Sequence, residues 1–388
     1  MKYAIFFAGS GQKARDASLI YTQWEAGLKS LGYATLLLDG VGEFETTKNW
    51  LGFKTSQTSK ATGKGWALIV RRAMEWLEDE VRVGNSLDKV VIVGMSRGGV
   101  QAVVCANCLK HKYGHAPVFV FAIDPVQGWH PGNQGSFDMR TERSGSRGTR
   151  DELKTDYSLQ ENAPNTLSDN VKRYLSVIMQ FRGSQRLIPG FTPQSPSLQN
   201  MTVDCPHIVY ELPGDHSTGV DSGLTTNGSV HKQSSSRNTR SLVTTDMFYH
   251  WLRKESFGDV GQVDDFVVVD AYCRIANEDL AGVQFDNKKS GFSFLMASHP
   301  GAGRSFEANP MSRFHKGRGH LVQSTQVFAA KDLNPIMLGY YVNERHFELY
   351  KAFEPRLQIE MRKPPNQRQH LSNIIAWINR NKKDFRQG

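Results

Sequence analysis

Short apolar runs alternate with amphipathic stretches through the first half of the chain, and the two periods predict two kinds of element. Tyr3 to Ala8 (YAIFFA), Ala34 to Leu38 and Pro117 to Ile123 (PVFVFAI) have strand length and little polar interruption, as strands buried on both faces do. Leu19 to Leu31 and Trp66 to Val81 (WALIVRRAMEWLEDEV) carry apolar residues at helical spacing and predict helices, the second beside the strand that leads to Ser96. Lys89 to Val104 (KVVIVGMSRGGVQAVV) predicts a strand, a tight turn and a helix in succession. Val171 to Phe181 and His207 to Leu212 continue the strands, and a helix is expected near Thr244 to Lys254. Strands that alternate with helices in this way predict an α/β fold, a mostly parallel sheet flanked by helices.

The pattern fails in three places. From about Gly128 to Asn170 the chain is polar and Gly-rich, which predicts an insertion: a lid over one sheet edge or a loop. His216 to Ser241 is a second stretch rich in Ser, Thr and Gly. After Phe257 the alternation weakens: DDFVVVDAYCRI reads as strand or buried helix, GFSFLMASHPGAGRSFEANP as loop, and His370 to Ile378 as a short amphipathic helix. The expected organisation is an α/β domain over 1–256, with the insertion at about 128–170, and a C-terminal basic extension or subdomain over 257–388.

A chain of 388 residues, 39% of them hydrophobic, has enough apolar material for a large core, and global disorder is not expected. None of its apolar runs approaches the roughly 20 residues that cross a bilayer, and MKYAIFFAGSGQ reads as a first strand rather than a secretory signal. The expected location is therefore the producer's cytoplasm, with any export left to a specialised secretion machine. Four cysteines are few for a disulfide framework, and Cys105 and Cys108, without a second pair of ligands, read as small helix residues packed on the sheet; no metal or other cofactor is expected. The net charge of +9 favours anionic partners, and it is uneven: Arg356 to Gly388 holds eight Lys or Arg against two acids.

The chemistry is densest at Gly94-Met95-Ser96-Arg97-Gly98. A serine at the apex of a strand-to-helix turn, with glycine two residues to either side, is the arrangement that exposes a nucleophile in a strained backbone. Such a hydroxyl needs a histidine to take its proton and an acid to orient the histidine, in the chain order serine, acid, histidine. Asp124 follows the strand PVFVFAI in the segment IDPVQG, and His216 follows HIVYEL in PGDHSTGV, so each sits at a strand end. Rival acids are Asp138, Asp204 and Asp221; rival histidines are His130 and His250. Backbone N–H donors for a developing oxyanion are expected from Arg97 and from Ser10 and Gly11 in the loop after the first strand. That loop is not a nucleotide cradle, because the chain has neither GxGxxG nor a lysine at P-loop spacing.

With these motifs in place the chain resembles the α/β-hydrolases that include phospholipase effectors of the bacterial type VI secretion system. FFAGSGQ is similar to that family's first strand and Asp-Gly-Thr loop, VGMSRGGVQA to its Gly-Phe-Ser-Arg-Gly turn, IDPVQG to its Phe-Asp-Thr-Val segment and IVYELPGDHSTGV to its Phe-Pro-Gly-x-His segment. The helix LVTTDMFYHWL also matches in position. These motifs keep the family's order over about residues 3 to 254, and the family's triad falls on Ser96, Asp124 and His216. Two departures stand out: Ala8 occupies the place of the family's aspartate, and Ser217-Thr218-Gly219-Val220 replaces a glycine-rich run.

The resemblance implies a serine esterase of the phospholipase type that acts as an antibacterial effector, with a neutralising immunity protein and a secretion apparatus as partners. The basic C-terminal third would hold such an enzyme on an anionic membrane surface, with Leu371, Ile374, Ile375 and Ile378 as the apolar face of an interfacial helix. The same triad would also serve a soluble carboxylesterase or deacetylase. A non-catalytic scaffold is the remaining alternative, but nucleic acid fits poorly, since the basic tail offers only Trp377 and Phe385 for stacking.

Overall fold

Six parallel strands form one sheet in the order β2-β1-β3-β4-β5-β6. They are β1 (Lys2–Phe7), β2 (Tyr33–Leu38), β3 (Lys89–Met95), β4 (Val118–Ile123), β5 (Val171–Gln180) and β6 (His207–Pro213). The helices are α1 (Tyr21–Ser30), α2 (Trp66–Arg82), α3 (Arg97–Lys112) and α4 (Ser234–Lys254). The structure, a computed structural model, describes residues 1–43, 65–125, 153–159, 167–180, 207–213, 219–222 and 234–263, with 267, 268, 271, 362 and 364. Each strand expected from the hydrophobic pattern is present, within two residues of its expected limits.

Strand alternation sorts the core into two layers. Tyr3, Ile5 and Phe7 of β1 face α2 and α3, in a cluster with Ile69, Val70, Met74 and Leu77 and with Val103, Val104, Cys105 and Cys108. Ala4, Phe6 and Ala8 face α1 and α4 on the other side, with Trp24, Leu28, Val243, Phe248 and Leu252. Both faces are therefore dry, which is why the strands read as unbroken apolar runs. Trp24 binds the second layer together. Its ring stacks on Phe248 at 4.3 Å between centroids and meets Phe121 edge-on at 5.8 Å, and its Nε1 donates to Thr245 Oγ1 at 3.1 Å.

The order of connections locates the site. From β1 the chain moves outward through α1 to β2, then reverses through α2 to β3 and continues in the opposite direction. In an open parallel sheet the crevice beyond the carboxyl ends of the strands at such a reversal is where ligands bind. Here that place lies between the ends of β1 and β3, two strands that are neighbours in the sheet with Phe7 opposite Gly94.

Within the expected insertion Leu153, Tyr157, Leu159 and Leu167 are buried in the layer of α2 and α3, Tyr157 Oη donates to Glu78 at 2.6 Å, and the Ser168 N–H donates to Asn107 Oδ1 at 3.0 Å. The part of the insertion before Leu153 lies outside the described residues. Helix α4 begins ten residues before Thr244, within a polar stretch; Thr244 and Thr245 bond back to the carbonyls of Arg240 and Ser241 at 3.0 and 2.7 Å, so their hydroxyls are satisfied inside the helix. The core also continues past residue 256, since Phe257, Val260, Val268 and Ala271 are buried against α1 and α4. Most of the rest of 257–388, including the basic tail, lies outside the described residues.

Candidate active site

The carboxyl end of β3 turns into α3 through a single residue. Ser96 is the N-cap of α3 and has φ 56° and ψ −127°, a backbone conformation that favours glycine and is strained for any side chain. The neighbouring packing enforces it. A β-carbon at Gly94 would lie 2.1 Å from the Gly98 carbonyl oxygen, and one at Gly98 would lie 2.3 Å from the Phe7 oxygen. The two glycines therefore let helix and sheet close on each other beneath the serine. The Ser96 N–H donates to Ile123 O at 2.9 Å, which ties the turn to the end of β4.

A testable consequence concerns Gly98. Glycine to alanine within a helix ordinarily stabilises by up to about 1 kcal/mol. At Gly98 the sign should reverse, because the obstructing atoms are backbone of β1, and Gly98→Ala should destabilise by about 2–3 kcal/mol. Equilibrium unfolding in urea checks this, and a stabilised Gly98→Ala would refute the close approach of α3 to β1.

Asp124 lies beside this turn. It directly follows β4, is fully buried, and donates its N–H to Val177 O of β5 at 2.6 Å. Its φ of 39° is in the left-handed region, where Asp and Asn are the most tolerant residues after glycine. Pro125 next to it packs on α3, within 2.7 Å of where a Gly99 β-carbon would be. Ser96 and Asp124 thus stand on adjacent strand ends of the same sheet edge.

The loop after β1 forms the other wall. A β-carbon at Gly9 would come within 3.2 Å of Ser96 Cβ, so the loop lies directly against the serine. Its N–H groups can be followed one by one. Gly9 donates to Gln12 Oε1 at 2.9 Å, Gly11 to Val41 O at 2.8 Å and Gln12 to Gly9 O at 3.0 Å. Among the described residues the Ser10 N–H has no acceptor. Of the two loop donors expected for an oxyanion, Ser10 remains available, whereas Gly11 is already bonded to Val41. Arg97, the first residue of α3, has its N–H in the turn where helix geometry supplies no carbonyl.

The Arg97 side chain was not anticipated from sequence. Its guanidinium is buried, with the residue 2% exposed, and Nη1 donates to Ser10 Oγ at 2.6 Å. Burial pushes its pKa down to about 10, so it remains a cation at neutral pH.

His216 lies outside the described residues, between the end of β6 at Pro213 and Gly219. The segment just beyond it is held firmly: the Ile20 N–H donates to Val220 O at 3.1 Å and the Ser222 N–H to Ser18 O at 2.8 Å, with an antiparallel bridge between Leu19 and Asp221. Those partners immediately precede α1, whose Tyr21 hydroxyl donates to Phe7 O at 3.2 Å.

No family model matches the chain, and no curated protein does. Solved structures similar to it include Est1E from Butyrivibrio proteoclasticus bound to ferulic acid (13% identity, 66% of this chain and 90% of that one, TM-score 0.35). A structure described under LipS and LipT, two metagenome-derived lipolytic enzymes, matches at 14% identity over 65% of this chain and 94% of that one, with a TM-score of 0.33. An uncharacterized protein from Pseudomonas aeruginosa matches at 11% identity over 91% of this chain and 61% of its own, with a TM-score of 0.38. Likenesses of this extent carry no argument about activity. The α/β-hydrolase-like fold rests on the parallel sheet, its strand order and the strand–serine–helix turn themselves.

Among the rival residues, Asp221 is placed in the bridge to Leu19, while His250 lies on the C-terminal part of α4. That end of α4 meets the opposite edge of the sheet, where Glu255 pairs with Arg173 at 2.8 Å and its carbonyl accepts from Lys89 at the start of β3. His250 is thus on the wrong edge to serve Ser96. Asp138, Asp204 and His130 lie outside the described residues. Ala8, in the place of the resembled family's aspartate, is buried and apolar and leaves the turn to be held by other groups. Among the described residues no group of three His, Cys, Asp or Glu could hold a metal ion, and no helix is long and apolar enough to cross a membrane. Cys105 and Cys108 are buried in α3 against the sheet, and burial pushes both thiols up.

Proposed function

We propose that this chain is a serine esterase that cleaves carboxylic acyl esters through Ser96, His216 and Asp124, with phospholipid as the preferred substrate class. The observation that carries the reading is the strained Ser96 backbone at the apex of a strand-to-helix turn. A conformation of this kind persists only where the surroundings over-determine it, and here it raises the hydroxyl above the sheet edge at the topological reversal. Asp124 on the next strand end supplies the acid. The chain supports His216 by connectivity: β6 is three strands from β3, about 14 Å at normal strand spacing. In sequence His216 falls between Pro213, the last residue of β6, and Gly219, and just beyond it Val220 and Ser222 are hydrogen-bonded to Ile20 and Ser18.

In the proposed reaction Ser96 Oγ attacks the ester carbonyl carbon while its proton passes to the His216 imidazole, and the carbonyl π pair moves onto oxygen. Asp124 holds the imidazole and stabilises its charge. The oxyanion lies against the N–H groups of Ser10 and Arg97. Its collapse expels the alcohol, which takes the proton from His216, and water repeats the sequence to release the carboxylic acid and restore Ser96.

Phospholipid is favoured by the resemblance of the motifs and by the basic tail, whose charge would draw the chain to an anionic bilayer. In the same reading the protein acts as an antibacterial effector delivered by a type VI system, and an immunity protein restrains it in its producer. Acyl release from phosphatidylglycerol-containing liposomes should exceed, per enzyme, that from a monomeric short-chain nitrophenyl ester, and should fall with rising salt as tail binding is screened. Turnover of the short ester alone, indifferent to liposomes, would replace the phospholipase with a soluble carboxylesterase.

A further inference from the structure

The loop after β1 offers one N–H to the site, that of Ser10, and a two-residue turn would not by itself hold a single amide within the few tenths of an ångström that oxyanion stabilisation needs. Four hydrogen bonds fix the loop: the Gly9 N–H to Gln12 Oε1, the Gln12 N–H back to Gly9 O, the Gly11 N–H to Val41 O, and the Gly40 N–H to the Gln12 carbonyl at 2.8 Å. None of these reaches Ser10 itself. The contact that does is Arg97 Nη1 to Ser10 Oγ at 2.6 Å. It runs from the residue after the nucleophile to the loop that faces it, across the mouth of the site.

We infer that the Arg97 side chain is a positioning residue: by holding the Ser10 hydroxyl, it fixes the distance between the two backbone N–H groups, of Ser10 and of Arg97 itself, that receive the oxyanion. This inference rests on the serine-esterase reading. A guanidinium suits the task because it is planar, donates along fixed directions and stays charged at neutral pH. Burial gives it rigidity that an exposed arginine would lack, with the residue 2% exposed. One residue thereby serves twice. Its backbone contributes a donor and its side chain sets the position of the other donor, so the spacing of the pair is built into the α3 N-terminus rather than left to the loop.

The role predicts a loss in kcat without a matching change in KM, since the oxyanion exists only beyond the ground state. Ser10→Ala removes the hydroxyl but keeps the Ser10 N–H, at a partly exposed position where alanine is tolerated. With a short-chain nitrophenyl ester, Ser10→Ala and Arg97→Met should each lower kcat by about 30-fold with KM within about twofold, less than the 10²–10³ seen when an oxyanion donor is removed outright. Arg97→Lys should recover part of the loss. The double variant Ser10→Ala/Arg97→Met should be no more than about threefold below the poorer single variant, because both changes break the same contact. If Arg97→Met does not fold, as judged by its unfolding transition, the cycle is run with Arg97→Lys. A Ser10→Ala enzyme with wild-type kcat, or single effects that multiply in the double variant, would overturn the positioning role while the esterase reading stands. Ester hydrolysis that survives unchanged in Ser96→Ala would instead bring down the esterase reading, and the inference with it.

Discussion

Ser96→Ala is expected to abolish ester hydrolysis, with kcat reduced by about 10⁵ to 10⁶-fold and the fold intact. The magnitude follows from how nucleophile, base and acid act as a unit: removing the serine leaves only the background contributed by binding and the oxyanion donors. The fold should survive, because alanine occupies no more space than serine and the turn is held by backbone contacts, namely the Ser96 N–H to Ile123 and the approach of Gly98 to Phe7. Alanine also lacks any local hydrogen bond with which to favour a positive φ, so a small loss, below about 1 kcal/mol, is expected at φ 56°. Two measurements separate catalysis from stability. Wild type should take up a fluorophosphonate probe covalently at Ser96 and Ser96→Ala should not, while their urea unfolding curves nearly coincide. A Ser96→Ala variant labelled at the same rate as wild type would place the nucleophile elsewhere.

Most of the sheet was legible in the sequence because its chemistry is local. The strands of β1, β3 and β4 are covered on both faces, so each reads as an apolar run regardless of neighbours, and Gly94 and Gly98 betray the turn because no side chain fits at either place. What stayed hidden depends on residues far apart. The first half of α4 reads as polar loop, yet Thr239, Arg240 and Ser241 are buried there and the carbonyls of the last two accept from Thr244 and Thr245, arrangements that no window of sequence reveals. Leu153, Tyr157 and Leu159 lie in a segment too short and too polar in its surroundings to show a period, but α2 and α3 provide the apolar surface that receives them. The oxyanion loop shows the limit most clearly. A Gly-Ser-Gly run marks it as a loop of backbone donors, whereas the bond from Gly11 to Val41 and the grip of Arg97 on Ser10 join residues 30 and 87 positions apart.

Asp124→Asn is the companion test, and it isolates charge from structure better than any other change in the site. Asparagine has nearly the same shape, and it is as tolerant of a left-handed backbone as aspartate, so the φ of 39° and the N–H bond to Val177 should both persist. What is lost is the carboxylate. An amide cannot stabilise an imidazolium, and by donating instead of accepting it favours the wrong tautomer of His216, in which the proton faces away from the acid and blocks uptake of the serine proton. The expected drop in kcat is about 10⁴-fold at neutral pH. Activity should recover partly in alkaline solution, where hydroxide deprotonates the serine without the imidazole's help; a merely structural aspartate gives no such recovery. Asp124→Ala is expected to lose similar activity and also stability, since it removes a buried hydrogen-bonding group and leaves a residue less suited to positive φ. The two variants therefore distinguish the reading from its rival. If Asp124→Asn retains wild-type turnover while Asp124→Ala merely unfolds at lower urea, the acid of the triad is another residue and Asp124 is a turn former at the end of β4. Loss of turnover in a stable Asp124→Asn protein, partly restored at high pH, assigns the acid to this strand end.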